Sequence, residues 1–401
     1  MARNDNTLKT HLDNSTVFRG LSPDIQNDLI QSVAEVMIEK IKTEISKTDF
    51  VALILDEASD ITMKSQLSAT FRYVTEDGNV QERFVHYTDV SSDRKADSLL
   101  QHTLQILKDF GCADKLVAQT YDGAAVMAGE HSGLQTRLRE HCKTATFIHC
   151  YAHKLNLVLS QSASFIKPVK IFFTNLLSFS VFFAKSSKRT RALATHVRKR
   201  IPTVAPTRWN FQSRIVQTAK EHKEDLEGLF QAIVEDQNQE WDRETTICAR
   251  GFLTLLRDFD FNFFLDVFSA IFPHSESLFK ILQSKISDIA YCNKKIDDFK
   301  SHIQRMREEF SDIWERMERF TSDYRPPNKR MRLDSIPEED KKSTYARLFY
   351  EILDVIILNI TQRFSEISKL KFLRLLDSTL FDSFVKNFPD ELFSSLLTTD
   401  L

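Results

Sequence analysis

Cysteines, signal sequences and long apolar runs are scarce or missing in this chain, and each scarcity excludes a class of protein. The five cysteines are an odd number and lie far apart, which argues against a secreted disulfide framework and for a reducing compartment. The first residues contain no apolar stretch of the kind that a signal peptide needs. The most apolar stretch, residues 171–184, is interrupted by Thr174, Asn175 and two serines, so it predicts a buried helix and no membrane span.

Glycine is scarce and unevenly distributed. Six of the eight glycines precede residue 135, and glycine marks the turns that connect strands. A sheet is therefore predicted in the first part of the chain and helices in the remainder. Hydrophobic residues make up 42% of the chain, which is ordinary for a soluble globular protein. The net charge of −2 produces no overall positive field, so any nucleic-acid surface has to be local.

The hydrophobic pattern predicts an ordered series of elements before residue 165. A helix comes first, with Ser22 as its N-cap and Pro23 at its first position. Three strands in a meander follow, and then helices and strands alternate, which is the order of an RNase H-like α/β domain. The predicted strands are 50–55, 67–74, 80–90, 116–121 and 145–150, and the predicted later helices are 95–110, 132–142 and 153–162.

Two aspartates follow predicted strands. Asp56 comes after the first strand, with Glu57 and Asp60 close behind, and Asp122 follows the strand at 116–121. Carboxylates at the ends of neighbouring strands can hold two Mg²⁺ or Mn²⁺ ions, which activate water or a 3′-hydroxyl in phosphodiester chemistry. The alternative is that these acids are turn residues or helix caps, which is a common role for acids after strands.

Four blocks of sequence resemble one family, in the same order along the chain. They are LILDEASDITMKSQLSATFRYV (53–74), YDGAAVMAG (121–129), HCYAHKLNLVL (149–159) and PTRW (206–209). They resemble the hAT-transposase-derived group with a DUF4371-type domain, which includes zinc finger MYM-type protein 1 and the THAP-domain repressor of the protein kinase inhibitor. Weaker similarity at 22–33 and 343–364 extends the resemblance over most of the chain.

The resemblance implies an RNase H-like core that is interrupted by an all-α insertion. It places Asp56 and Asp122 at the first two catalytic acids, which bind Mg²⁺ or Mn²⁺ in active relatives. The third acid of the family is a glutamate near a C-terminal dimerisation segment, and no stretch of this sequence matches that segment. The N-terminal zinc finger typical of the group has no match either.

These observations predict a transposase-derived, catalytically inactive nuclear protein that binds DNA, proteins or both, with a cytoplasmic location as the alternative. Two other hypotheses stay open. One is a metal-dependent transposase or nuclease that uses Asp56 and Asp122, and the other is a protein-interaction module without DNA binding. No membrane association is expected, and the oligomeric state is left open.

The predicted elements and the resemblance divide the chain into five segments. A phenylalanine-rich helical part follows the RNase H-like domain, and its phenylalanines are expected to form a core, with exposed ones marking a partner surface. The predicted segments are an N-terminal tail at 1–19, the RNase H-like domain at 20–164, a helical insertion domain at 165–321, a linker-like segment at 322–342 and a C-terminal helical segment at 343–401.

A dense group of cysteines and histidines lies around residue 150. Thiolate and imidazole are zinc ligands, but Cys150-x-x-His153 has no second pair at the spacing of a zinc finger. The prediction is therefore that Cys150 and His153 pack in the core. The resemblance places this pair near the active centre, which leaves an indirect role in DNA contact open. The other members of the group are His141, Cys142 and His149.

Residues 185–200 contain seven lysines and arginines and no acid. Such a run can neutralise phosphates, although charge runs are usually solvated helix faces. In the resembling transposases a tryptophan at the position of Trp209 stacks on a DNA base, and core packing is its alternative role here. A shorter basic run at 329–332 is typical of a nuclear localisation signal. The predicted DNA-binding residues are Lys188, Arg189, Arg191, Arg198, Lys199, Arg200, Arg208 and Trp209.

Overall fold

Alternating apolar residues in the first 150 positions produce a mixed five-stranded sheet, and the described residues after Cys150 form helices and the turns between them. Contacts divide the chain into two units, Met1–Cys150 with the last two residues, and Tyr151–Thr399. The structure, a computed structural model, describes residues 5–15, 22–60, 62–197, 209–236, 238, 240–284, 289–323, 338–365 and 380–391.

The sheet has the strand order β3-β2-β1-β4-β5. β1, β2 and β3 form an antiparallel meander, whereas β4 and β5 run parallel to β1. The predicted α/β class and the order of strands and helices are confirmed. The strands are β1 Val51–Ser59, β2 Ser65–Val74, β3 Val80–Asp89, β4 Leu116–Tyr121 and β5 Thr146–His149; the helices of this unit are α1 Asn6–Asn14, α2 Pro23–Ser46, α3 Ala96–Asp109, α4 Ala125–Ala128 and α5 Leu134–His141.

Helix α3 covers the core face of the sheet. Alternate residues of β1 and β2, among them Leu53 and Phe71, are fully buried together with Leu99 and Leu107 of α3. The side chains of a strand alternate between its two faces, so this pattern sets which face is the core. α3 ends as predicted at a glycine, because Gly111 has a φ of +57°, which an L side chain rarely adopts.

Helix α2 begins where the sequence predicts but packs over only part of its length. The Ser22 hydroxyl accepts a hydrogen bond from the Ile25 N–H at 3.3 Å, and Pro23 occupies the first turn. The buried apolar residues of α2 are Ile41 and Ile45, near its C-terminal end. The first part of the same apolar stripe is exposed, at Leu29, Ile30, Val33, Val36 and Met37.

Strand β1 continues past the end that the apolar run predicts. Asp56 is its sixth residue, and the strand runs on to Ser59 because β1 stays paired with β2 as far as Ser59 opposite Ser65. A tight turn closes this hairpin. Apolar content marks only the part of the strand that is buried, so the polar end of β1 was not predicted.

The second unit consists of helices with a core rich in phenylalanine. Phe172 contacts Phe173, Phe261, Phe264 and Phe268, with ring centroids 5.0 to 5.8 Å apart. The predicted phenylalanine core is thereby confirmed. The helices are α6 Tyr151–Phe165, α7 Lys167–Ala184, α8 Ser187–His196, α9 Trp209–Glu221, α10 Lys223–Val234, α11 Arg243–Leu256, α12 Phe259–Leu282, α13 Ile289–Arg305, α14 Phe310–Asp323, α15 Glu338–Arg363 and α16 Phe381–Lys386, with a 3-10 helix at Met306–Glu309 between α13 and α14.

Among the described helices, none is by itself long and apolar enough to cross a membrane. Helices α6 and α7 meet that criterion only when taken together, and they are bent by 109° where they join. The contact division at residue 150 assigns α6 to the helical unit, and the segment boundaries derived from the sequence stay predictions.

Candidate functional site

The parallel pairing of β1 with β4 brings Asp56 and Asp122 to the same level of the sheet. Ile54 pairs with Thr120 near the end of both strands. Asp56 and Asp122 each come two residues later, so both reach the same edge of the sheet on the face that Ile54 and Thr120 share. The sequence identifies the two strand ends, and the register shows that they are level.

Each of the two aspartates is tied into its local backbone. The Asp122 Oδ1 accepts the N–H of Ala124 at 3.2 Å, which stabilises the turn after β4. The backbone carbonyl of Asp56 accepts the hydroxyl of Ser68 at 3.0 Å. Asp56 is exposed and Asp122 is half-buried. Asp122 therefore serves as a turn residue.

The two acids close behind Asp56 have structural partners. Glu57 Oε1 forms an ion pair with Arg94 Nη2 at 2.6 Å. Asp60 Oδ1 accepts the Thr62 N–H and hydroxyl, each at 2.7 Å, and the Lys64 N–H at 3.0 Å. The hydrogen bonds from Thr62 and Lys64 lower the pKa of Asp60. Asp60 thus organises the β1–β2 turn.

A buried polar network fixes β4 beneath Asp122. The Gln119 side chain is fully buried, and its Nε2 donates to the carbonyls of Gln135 at 3.0 Å and Ala145 at 2.8 Å. The Tyr121 hydroxyl donates to Gln119 Oε1, and burial raises the pKa of this phenol. The network links β4 to α5 and to the residue before β5. Sequence reasoning missed it, and the polar Gln119 inside an apolar strand is the signal that points to it.

The turn from β4 to α5 is also held by two glycines that touch. Gly133 donates its N–H to the Gly129 carbonyl at 3.1 Å. A Cβ on Gly133 would lie 2.4 Å from the Gly129 nitrogen, and a Cβ on Gly129 would lie 2.5 Å from the Ala125 carbonyl oxygen. Only glycine fits at either position without a shift of the backbone. The geometry of the loop after Asp122 therefore depends on both glycines.

Within the part of the chain that the structure describes, no three His, Cys, Asp or Glu side chains group closely enough to hold a metal ion. Two carboxylates at one sheet edge suit Mg²⁺ or Mn²⁺ by the chemistry of their oxygen donors. Asp56 and Asp122 are the residues that would hold such an ion, and they supply two protein ligands to it.

The comparison with known families concerns this same sheet. Residues 2–133 match the model of the family DUF4371, described as the ZMYM1/FAM200 RNase-like domain. The matched segment is similar to this family and is named the DUF4371 domain for that similarity. The match covers about a third of the chain and includes Asp56, Asp122 and the two touching glycines. The resemblance to the DUF4371 group is confirmed for this segment, which contains strands β1 to β4 of the sheet.

Of the cysteines and histidines around residue 150, His149 and Cys150 lie at the end of β5, the edge strand on the parallel side of the sheet. The backbone N–H of Cys150 donates to the Tyr121 carbonyl at 3.2 Å, one residue before Asp122. Cys142 is buried, and burial raises the pKa of its thiol. The rings of His149 and Phe147 pack edge to face, with centroids 4.6 Å apart. His153 lies in the first turn of α6 and is half-buried, and the predicted core role of Cys150 and His153 stays a prediction.

The basic helix α8 carries two kinds of cation. Arg189 is nearly buried: its Nη2 bonds the Thr245 hydroxyl at 2.6 Å and lies 3.9 Å from Asp242 Oδ2, and its guanidinium stacks on Phe182. Arg191 of α8 is exposed, and so is Lys185, the C-cap of α7 directly before α8. Arg189 therefore attaches α8 to the start of α11, whereas the exposed members form a solvent-facing basic surface.

Lys188 combines the two roles, because it contacts neighbouring residues and is also exposed to solvent. Its Nζ lies 4.4 Å from the centroid of the Trp241 ring and donates to the Glu240 carbonyl, yet the residue as a whole is exposed. Trp209 begins α9. Four of the other predicted DNA-binding residues, Arg198, Lys199, Arg200 and Arg208, lie outside the described residues, as does the basic run at 329–332.

Proposed function

We propose that this chain is a transposase-derived nuclear protein that binds DNA through helix α8 and does not cut it. The observation that carries the DNA-binding part is the solvent-facing basic surface of Lys185, Lys188 and Arg191. Lys188 and Arg191 stand on α8, whose orientation is set by Arg189, Thr245 and Asp242, and Lys185 is the C-cap of α7 directly before it. A rigid helix that presents cations on one face can follow a phosphate backbone.

The RNase-like domain supports the transposase origin, and its edge supports the lack of cleavage. Asp56 and Asp122 stand level, as two metal-binding acids would. Two-metal phosphodiester chemistry requires several carboxylate ligands around the ions, and two aspartates bind such ions weakly. Asp122 also stabilises a turn, a role that persists without any metal. We therefore expect the domain to act as a scaffold.

DNA binding across a salt series tests the proposal. The full chain is titrated with a labelled duplex in fluorescence anisotropy, together with the variant Lys185→Glu/Arg191→Glu. A control of equal charge change is Lys170→Glu/Lys280→Glu, at two exposed positions in the same unit. We expect affinity to fall steeply with salt, and the α8 variant to bind at least roughly tenfold more weakly with a smaller salt slope.

Two results would contradict DNA binding by α8. One is an absence of affinity at low salt, and the other is an equal loss in the two double variants. An absence of affinity at low salt would favour the protein-interaction module, for which the exposed apolar stripe of α2 is the supporting observation.

The enzyme alternative is supported by one observation, the level position of the two aspartates. It is tested by Mn²⁺-dependent cleavage of a labelled DNA substrate with wild type and with Asp56→Asn/Asp122→Asn. Glu130→Gln, an exposed acid of the same domain, is the control. Cleavage that the Asp variant abolishes and the control retains would establish a nuclease and overturn the proposal of a catalytically inactive protein.

A further inference from the structure

The rings of two histidines from neighbouring helices contact each other in the helical unit. His274 lies on α12 and His302 on α13, and their ring centroids are 3.6 Å apart with an interplanar angle of 36°. His274 is exposed and His302 is half-buried. Two neutral imidazoles tolerate this contact, whereas two imidazolium ions at this separation repel each other.

The charges around the pair disfavour protonation of the inner ring. Burial lowers the pKa of His302, the nearby His274 and Arg305 lower it further, and Glu309 of the 3-10 helix opposes them. Arg307 of the same 3-10 helix is bonded to Asp354 of α15. On α12, Glu276 accepts a hydrogen bond from Ser213 of α9 at 2.5 Å. Glu309 is therefore the acid that acts most directly on His302. Its effect is too small to reverse the lowering of the His302 pKa.

The backbone beside His274 is weakened as well. Pro273 lies inside α12 directly before it, and a proline within a helix removes one backbone hydrogen-bond donor and bends the helix. Ser275, on the other side of His274, donates its hydroxyl to the Phe272 carbonyl at 2.9 Å. A change in charge at the histidine pair therefore acts on a turn of α12 that has fewer helical hydrogen bonds than its neighbours.

We propose that the His274–His302 stack makes the packing of α13 against α12 dependent on pH. The contact is tight when the His302 imidazole is neutral and loosens when it is protonated. The sign follows from linkage: a histidine that binds its proton less readily in the folded state stabilises the fold above its unfolded pKa of about 6.5. That contribution is lost as the pH falls below this value, so mild acid opens the contact. In this way the helical unit contains a pH-sensitive joint.

Hydrogen exchange of the full chain tests the proposal. Exchange of the peptides that cover α13 is measured at about pH 7.5 and about pH 5.5 and corrected for the intrinsic exchange rate. The variant His302→Phe keeps a flat ring in place and removes the charge, and His274→Gln removes the stacking partner at the exposed position. His222→Gln is the control, because His222 pairs with Asp225 elsewhere in the same unit.

We expect the protection of α13 to fall roughly tenfold on acidification in wild type and in the His222 control, because one histidine that ionises between these pH values can change an opening equilibrium by that factor. In His302→Phe the protection of α13 should change little between the two pH values. In His274→Gln the acid response should be smaller than in wild type but still present, because His302 stays partly buried. An equal acid response of α13 in wild type and in both stack variants would overturn the proposal, and so would the absence of a response in wild type. Either result would leave the proposed DNA binding by α8 untouched.

Discussion

Gly133 lies so close to Gly129 that a methyl group on Gly133 would stand 2.4 Å from the Gly129 nitrogen and 2.6 Å from its carbonyl oxygen. Both contact atoms belong to the backbone, so they cannot move aside as a flexible side chain does. The φ of Gly133 is −70°, which any residue adopts. Position 133 therefore excludes larger residues because of a steric clash and not because of its backbone conformation. The clash would occur with the backbone of the loop that follows Asp122.

Gly133→Ala should accordingly destabilise the DUF4371 domain, by about 1–3 kcal/mol. The loop has to shift to accommodate the methyl group, and α5 begins at the next residue. Hydrogen exchange of α5 peptides measures the effect in place. Gly228→Ala is the matched control, because a methyl group on Gly228 of α10 would meet no atom within 4 Å. There the same substitution should stabilise the helical unit by about 0.5–1 kcal/mol. A loss of stability at both sites would contradict the steric argument for Gly133.

The Gln119–Tyr121 pair leads to a prediction of non-additivity. Gln119→Leu should destabilise the domain by roughly 1–3 kcal/mol, because it leaves the buried Tyr121 hydroxyl without its acceptor. Tyr121→Phe should also destabilise, because the Gln119 oxygen loses its donor. The double variant removes both partners, so it should cost less than the two single variants added together. Protection of β4 amides measures all three, and strict additivity would show that the two side chains do not depend on each other.

The order of strands and helices along the chain was predictable because apolar runs, turn glycines and proline positions are local signals. The level position of Asp56 and Asp122 was predictable only as far as both follow strands, since register depends on pairing partners distant in sequence. The exposure of Leu29 and Val33 on α2 was not predictable, because an apolar stripe along a helix shows that one face is apolar and not what covers that face. The role of Arg189 depends on Asp242 and Thr245, which no charge count along α8 reveals.

Asp266 provides a comparison between a buried and an exposed ion pair. It is 4% exposed and accepts bonds from Lys220 of α9 and from Arg316 of α14, the latter at 2.6 Å. Asp266→Leu should destabilise the helical unit by about 2 kcal/mol, because two charge-assisted bonds between three helices are lost. Both cations are nearly half-exposed, so they can turn to solvent and the loss stays moderate.

The control for Asp266 is Asp354→Leu, which breaks the exposed pair with Arg307. Exposed pairs contribute about 0–1 kcal/mol, so this variant should unfold nearly as wild type does. All three tryptophans lie after residue 150, and Trp314 is buried on α14 itself. Tryptophan fluorescence in urea therefore reports this unit alone, and equal shifts of the two variants would refute the distinction.

Glu44 couples the stability of the DUF4371 domain to acid. Its Oε2 accepts the Tyr73 hydroxyl at 2.5 Å and lies 3.5 Å from Arg83 Nη2. The bond from Tyr73, assisted by the charge of Arg83, lowers the pKa of Glu44, and burial together with Glu44 raises the pKa of Tyr73 to about 12. A carboxyl whose folded pKa is depressed stabilises the fold above its unfolded pKa. That stability is lost as the pH falls below about 4.5.

Glu44→Gln should therefore weaken the packing of α2 on the sheet at neutral pH and make it less sensitive to acid. The amide still accepts the Tyr73 hydroxyl but carries no charge toward Arg83. Protection of the amides near Ile41 and Ile45, followed from about pH 7 to about pH 4, measures both effects. Glu39→Gln is the control, because Glu39 pairs with Lys42 on the exposed side of the same helix. If wild type and Glu44→Gln lose protection in parallel as the pH falls, Glu44 is not the group that carries the acid sensitivity of α2.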